Sequence, residues 1–159
     1  MTAKLVGAGL ILAASLALAH RLKAAARDGV AQTEAYLDLL RRIRRQIACY
    51  SRPFGEICRR LEPELLAACG FGEGAQGDSF AAMLDGAALC LPAEAERVVR
   101  GFAREFGQGY LAEQLALCDN AVAELDAIAE AARRRLPERL KLIRCACLCG
   151  GLAVILLLL

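Results

Sequence analysis

Tryptophan is absent from this 159-residue chain, and aromatic residues make up only 5% of it. A base-stacking platform for single-stranded nucleic acid is therefore poorly supplied. Histidine occurs once, at His20, which leaves no support for a His-based catalytic triad. Charge of one sign is not in excess: the formal net charge is +2, without the imbalance that marks a nucleic-acid binder. Sustained alternation of β-branched residues is missing too, so the pattern predicts an all-α chain. Asp119-Asn120 comes nearest to an acid set in an apolar helix, and a solvated position or an interhelical hydrogen bond accounts for it. No catalytic, cofactor-binding or metal-ligating residue is expected, and the chain does not read as an enzyme.

What the chain has in plenty is apolar residues, 57% of the total, with the excess in a block at each end. Residues 5–19, LVGAGLILAASLALA, carry no charge. They fall short of the roughly 20 residues that span a hydrocarbon core, but Lys4, Arg21 and Lys23 can snorkel and extend the usable length. Two readings stay open here. A signal peptide would be cleaved after Ala17-Leu18-Ala19. An uncleaved anchor fits the cluster Arg21, Lys23 and Arg27, which the positive-inside rule retains in the cytoplasm. The far end repeats the pattern: Arg133, Arg134, Arg135, Arg139, Lys141 and Arg144 precede the uncharged run CACLCGGLAVILLLL at 145–159. Both basic flanks point at one compartment. The expectation is a membrane hairpin: an anchor at 1–27, a cytoplasmic helical bundle at 28–136, and a transmembrane helix at 137–159. Gly9, Ala13 and Ala17 on the first span, and Ala146 and Gly150 on the second, have the fourfold spacing that lets helices approach closely in lipid.

Between the ends, residues 33–50 place Tyr36, Leu40, Ile43, Ile47 and Tyr50 on one helical face. Arg41, Arg42, Arg44 and Arg45 flank that face, and Asp38 is spaced to pair with Arg42. Pro53 suits the start of a second helix, which runs through Ile57, Leu61 and Leu65 to Cys69 with a kink at Pro63. Residues 70–77, GFGEGAQG, lack the GK[ST] ending and the preceding strand of a phosphate loop, and read as a flexible turn. Asp78 or Ser79 then caps a helix with Phe80, Met83, Leu84 and Ala87. Pro92 opens another, with Val98, Val99, Phe102 and Phe106. After Gly107 and Gly109 comes the longest signal, residues 110–135, in which Leu111, Leu115, Cys118, Val122, Leu125 and Ala129 form a heptad-like seam, with Pro137 between it and the second span. The bundle is expected to be antiparallel, with four or five helices.

Eight cysteines lie mostly singly in Ala/Leu-rich helical stretches, which suits small buried hydrophobes better than a disulfide framework. Cys145, Cys147 and Cys149 cannot converge on one ion, because neighbours two apart on a helix point about 200° apart.

Four stretches resemble the stage III sporulation protein AB family of endospore-forming bacteria: KLVGAGLILAAS (4–15), YLDLLRRIRRQIACYSRPFGEICRRL (36–61), VVRGFAREFGQGYLAEQLALCDNAVAEL (98–125) and GGLAVILLLL (150–159). Phe106-Gly107 matches the family's Phe-Gly turn before a long helix. The chain departs from the family in its richness in Cys and Ala and in the GFGEGAQG loop. The resemblance implies a domain similar to the cytoplasmic part of the type II secretion F protein. It further implies a scaffold in the mother cell–forespore assembly, in the mother-cell (outer forespore) membrane with its middle in the cytoplasm. Expected partners are a secretion-type ATPase, membrane proteins of the same operon and membrane lipid, with homo-oligomerisation left open and no nucleic acid. The face Arg41, Arg42, Arg44 and Arg45 is the expected partner site. A generic tail-anchored adaptor and a secreted disulfide-bonded helical protein are the competing readings.

Overall fold

Four prolines and a few glycine-rich turns are the only strong breaks in the sequence, and the helices follow them. A computed structural model describes residues 2–50, 54–72 and 79–158. Among these residues there are six helices and no strand: α1 (Thr2–Tyr50), α2 (Phe54–Arg59), α3 (Pro63–Ala68), α4 (Phe80–Asp85), α5 (Ala93–Glu105) and α6 (Leu111–Leu158). The all-α expectation holds. Asp78 and Pro53 lie outside the described residues.

Three local expectations need correction. The apolar segment at 5–19 and the helix at 33–50 belong to one continuous helix, α1, because the sequence between them offers only Gly29 as a weak breaker. α6 likewise runs unbroken through Pro137, although proline cannot donate to the Arg133 carbonyl. The helix expected to kink at Pro63 instead divides there. Glu62, constrained by the following proline, is extended at φ −64° and ψ 130°, and Pro63 starts α3.

The chain divides into two compact units, Gly29–Ala132 and the paired ends Met1–Asp28 and Arg133–Leu159. In the terminal unit, Gly7, Ile11 and Ser15 are half-buried and Ala19 is buried, at fourfold spacing. On α6 the less exposed positions in this unit are Leu136, Leu140, Ile143, Cys147, Leu148, Gly151 and Ile155. Gly151 sits against Ser15: a Cβ there would lie 2.5 Å from Ser15 Oγ. The close-approach residues are therefore Ser15 and Gly151. Gly9, Ala13, Ala17, Ala146 and Gly150 are exposed, so the small-residue stripe lies on a different face from the one expected. Ser15 Oγ is satisfied within its own helix, donating to Ile11 O at 2.9 Å.

The unit at 29–132 holds the core. The expected face of α1 is buried through Tyr36, Leu40, Ile43 and Ile47. Ser79 caps α4, its hydroxyl accepting from Ala82 N at 3.2 Å. Phe80 stands edge-on to Phe71, Phe102 and Phe106, with centroids 6.3, 5.5 and 6.4 Å away. Phe71 also meets Tyr36 edge-on at 5.9 Å. The first part of the glycine-rich segment is thus core, with Phe71 4% exposed; its residues 73–77 lie outside the described residues. Tyr36 is fully buried and its hydroxyl has no hydrogen-bond partner. Burial above all, with Cys69 nearby, raises its pKa well above the usual tyrosine value. Tyr36→Phe removes a polar group that costs rather than stabilises, so the variant is expected to be about 1 kcal/mol more stable by thermal melting.

A polar clamp crosses this core. Buried Gln32 on α1 donates through Nε2 to Cys69 O at 3.1 Å and to Ala88 O at 2.8 Å, and its Oε1 accepts from Cys90 N. Gly70 adopts φ +87°, and a Cβ on it would sit 2.3 Å from Ala88 O. Glycine is required there by both conformation and space.

Candidate protein-interaction face

The four arginines expected to face a partner lie on the second half of α1, where helical spacing sets them beside the buried stripe. Three of them are held by carboxylates of the same chain. Arg41 binds Asp126 at 3.1 Å and approaches Asp38 at 4.0 Å. Arg42 binds Glu62, just ahead of α3, at 2.7 Å rather than pairing with Asp38 as its spacing suggested. Arg44 grips Asp119 with two nitrogens, Nε to Oδ1 and Nη2 to Oδ2, the latter at 3.1 Å. The fork geometry of arginine makes this two-point contact directional. Asp119 is therefore the acceptor of an interhelical hydrogen bond, one of the two roles open to it from sequence.

Arg45 differs from its neighbours. It is exposed and has no ion-pair partner among the described residues. It borders a shallow groove with Arg42, Gln46, Ile57, Arg60 and Leu61. Gln46 Oε1 is buried there without a hydrogen-bond partner.

The electrostatics follow the contacts. Hydrogen bonding from Arg44 holds the Asp119 carboxyl below its ordinary 3.8. A lowered folded-state pKa means that this tie is fully present above that value and fades as the pH falls through the depressed one. Arg42 and Arg44 are shifted upward, chiefly by their hydrogen bonds to Glu62 and Asp119.

The thiols carry no disulfide among the described residues. Cys69 and Cys118 are buried, whereas Cys49 and Cys90 are exposed. Burial pushes the Cys69 thiol up to about 12 and that of Cys118 up to about 11. Raised folded-state values mean that their contribution to stability is complete below the ordinary 9.0 and declines from there as the pH rises towards 11–12. Iodoacetamide at pH 8 is expected to modify Cys49 and Cys90 in the folded chain, and Cys69 and Cys118 only after denaturation. Peptide mass spectrometry reads this directly. Cys145 and Cys149 are exposed on α6 and Cys147 is half-buried. No group of three metal-ligating side chains comes together among the described residues.

Charge is divided between the two units. By sequence, residues 1–28 and 133–159 hold ten basic and two acidic residues, and residues 29–132 hold ten basic and sixteen acidic. Exposed large apolar side chains divide too. In the terminal unit they are Leu10, Leu12, Leu16, Leu18 and Leu22 on α1, and Leu142, Leu152, Val154 and Leu156 on α6. α1 is the one helix among the described residues long and apolar enough to cross a membrane, and only 6% of its apolar window is buried. A soluble core helix would bury most of that window.

The family model described as stage III sporulation protein AB matches residues 73–159. No curated protein and no solved structure matches the chain. Two of the stretches that carry the resemblance, 98–125 and 150–159, lie within the matched part, and the other two precede it.

Proposed function

The chain belongs to the stage III sporulation protein AB family, and from that premise we propose that it is a non-catalytic membrane adaptor of the mother cell–forespore assembly. In this role it couples a cytoplasmic secretion-type ATPase to membrane proteins of the same operon. Its terminal unit sits in the mother-cell membrane, and residues 29–132 form an antiparallel head in the cytoplasm.

The observation that carries the membrane half is that one unit holds all but two of the exposed large apolar side chains among the described residues, together with the excess of cations. Apolar side chains facing outward suit lipid, and cations at one end of each apolar run suit the anionic cytoplasmic leaflet. The register of the two helices supports a second span. Arg21 lies six residues beyond Ser15, and Arg144 lies seven residues before Gly151. For helices running in opposite directions, the Ser15–Gly151 contact then sets the two basic borders within about 2 Å of the same level. Both spans would leave the bilayer at one plane. Opposed directions are supported in the head by the order of its ion pairs, since Arg41 meets Asp126 and Arg44 meets the earlier Asp119.

The adaptor half draws on the family and on the groove at Arg45. Reversing all four arginines would break the ties to Asp126, Glu62 and Asp119 and confuse folding with binding. Arg45→Glu leaves those ties in place. Full-length protein in detergent carrying this change is expected to bind the operon's ATPase several-fold more weakly and with a shallower salt dependence. Unchanged affinity and salt slope would remove this groove as the ATPase face.

A further inference from the structure

Tyr110 and Leu111 are the only exposed large apolar residues among those described in the unit at 29–132, at 83% and 46%. They are consecutive and lie at the turn from α5 to α6. Leu111 begins the heptad-like seam and is exposed, whereas Leu115 and Val122 are half-buried and Cys118, Leu125 and Ala129 are buried. Among its described residues, the head therefore gathers its outward-facing large apolar side chains at one point.

The turn that presents them is firmly held. Gly107 takes φ +91°. Gln108 donates from its side chain to Arg104 O at 2.9 Å, and Tyr110 N donates to Glu113 Oε2 at 2.9 Å. Gln114 Nε2 donates to Gly109 O at 2.9 Å. The Glu113 bond is half of a capping box. An aromatic side chain on a backbone already fixed loses little freedom on binding, and tyrosine is enriched among the residues that dominate interfaces. Beside it runs a groove lined by Glu105, Gln108, Gly109, Glu113, Gln114 and Leu117. Two carboxylates and no cation line it.

We infer that this turn is a docking knob for a protein partner whose surface offers an apolar pocket rimmed by Lys or Arg. Tyr110 and Leu111 enter the pocket, and Glu105 and Glu113 meet the rim. The inference rests on the adaptor reading and adds a surface far in sequence from the arginines of α1. Charge argues for a basic partner over a second copy of this head, which would bring two acidic surfaces together.

The test places a photo-crosslinking phenylalanine analogue at position 110 of the full chain in sporulating cells. Light is expected to give one adduct with a different protein, joined through a peptide of net positive charge. Glu105→Lys in the same chain is expected to reduce the adduct at least tenfold. An adduct with a second copy, an adduct with lipid, no adduct, or an adduct indifferent to Glu105→Lys overturns the inference. Spore counts separate it from the adaptor reading. Wild-type chain that fails to restore spores to a strain lacking it sinks the adaptor reading itself. If wild-type restores them, Tyr110→Ala, with an unchanged melting temperature, is expected to give at least tenfold fewer spores; full restoration by Tyr110→Ala overturns the knob alone.

Discussion

Phe80→Ala is expected to destabilise the protein by about 4 kcal/mol, the middle of the range for deleting a buried aromatic. Phe80 is 2% exposed and touches three other rings edge-on. The short helix that carries it, α4, has six residues and little stability of its own. Collapse around the lost ring would have to move Phe71, from the segment ahead of α4, together with Phe102 and Phe106, from α5 and its C-cap. Phe102 and Phe106 are themselves stacked at 4.8 Å, so one cannot shift without the other. Domains of this size are stable by roughly 5–15 kcal/mol, so the change removes a large share of the margin. Denaturant melting of the detergent-solubilised chain measures it. A loss below about 1 kcal/mol would mean that these rings do not form the core of the head.

Gln32→Leu is the second large effect, expected at about 3 kcal/mol by the same measurement. Leucine fills similar space but strands Cys69 O, Ala88 O and Cys90 N, each of which loses a partner. A stranded buried group costs about 1–3 kcal/mol, and Ala88 and Cys90 are exposed enough for water to recover part of that. Gly70 compounds the dependence, because its carbonyl accepts from Ala88 N at 2.9 Å and fixes the same two segments together. The clamp anchors the chain on either side of α4 to α1. Its loss is therefore expected to loosen the aromatic cluster as well, so Gln32→Leu and Phe80→Ala combined should cost less than their sum.

The sequence made the helices readable wherever period and punctuation coincide. The buried stripe at Tyr36, Leu40, Ile43 and Ile47, the Ser79 cap and the Pro92 entry are all local signals, and each is in place. What escaped was tertiary. Phe71 sits among glycines that announce a turn, yet its ring is core. Gln32 lies four residues before Tyr36 on the apolar face, and a polar residue in that stripe was the one available sign of a clamp. Its partners are 37 to 58 residues away, beyond the reach of any periodicity. The ties that hold Arg41, Arg42 and Arg44 were not readable either, because Asp126, Glu62 and Asp119, remote in sequence, are brought to them only by folding. The continuity of α1 and α6 was hidden for another reason. A change from uncharged, apolar composition to charged composition resembles a boundary even when the backbone passes through it without a break.

The account rests on a head that faces the cytoplasm, and thiol labelling in intact sporulating cells tests that most directly. Cys69 is a poor reporter, being buried and pushed up to about 12. Cys90 is exposed. In a chain with Cys49, Cys58, Cys145, Cys147 and Cys149 changed to alanine, a membrane-impermeant maleimide is expected to label Cys90 only after the membrane is opened. Labelling of Cys90 in intact cells, to the extent seen after permeabilisation, would contradict the topology and the adaptor role built on it.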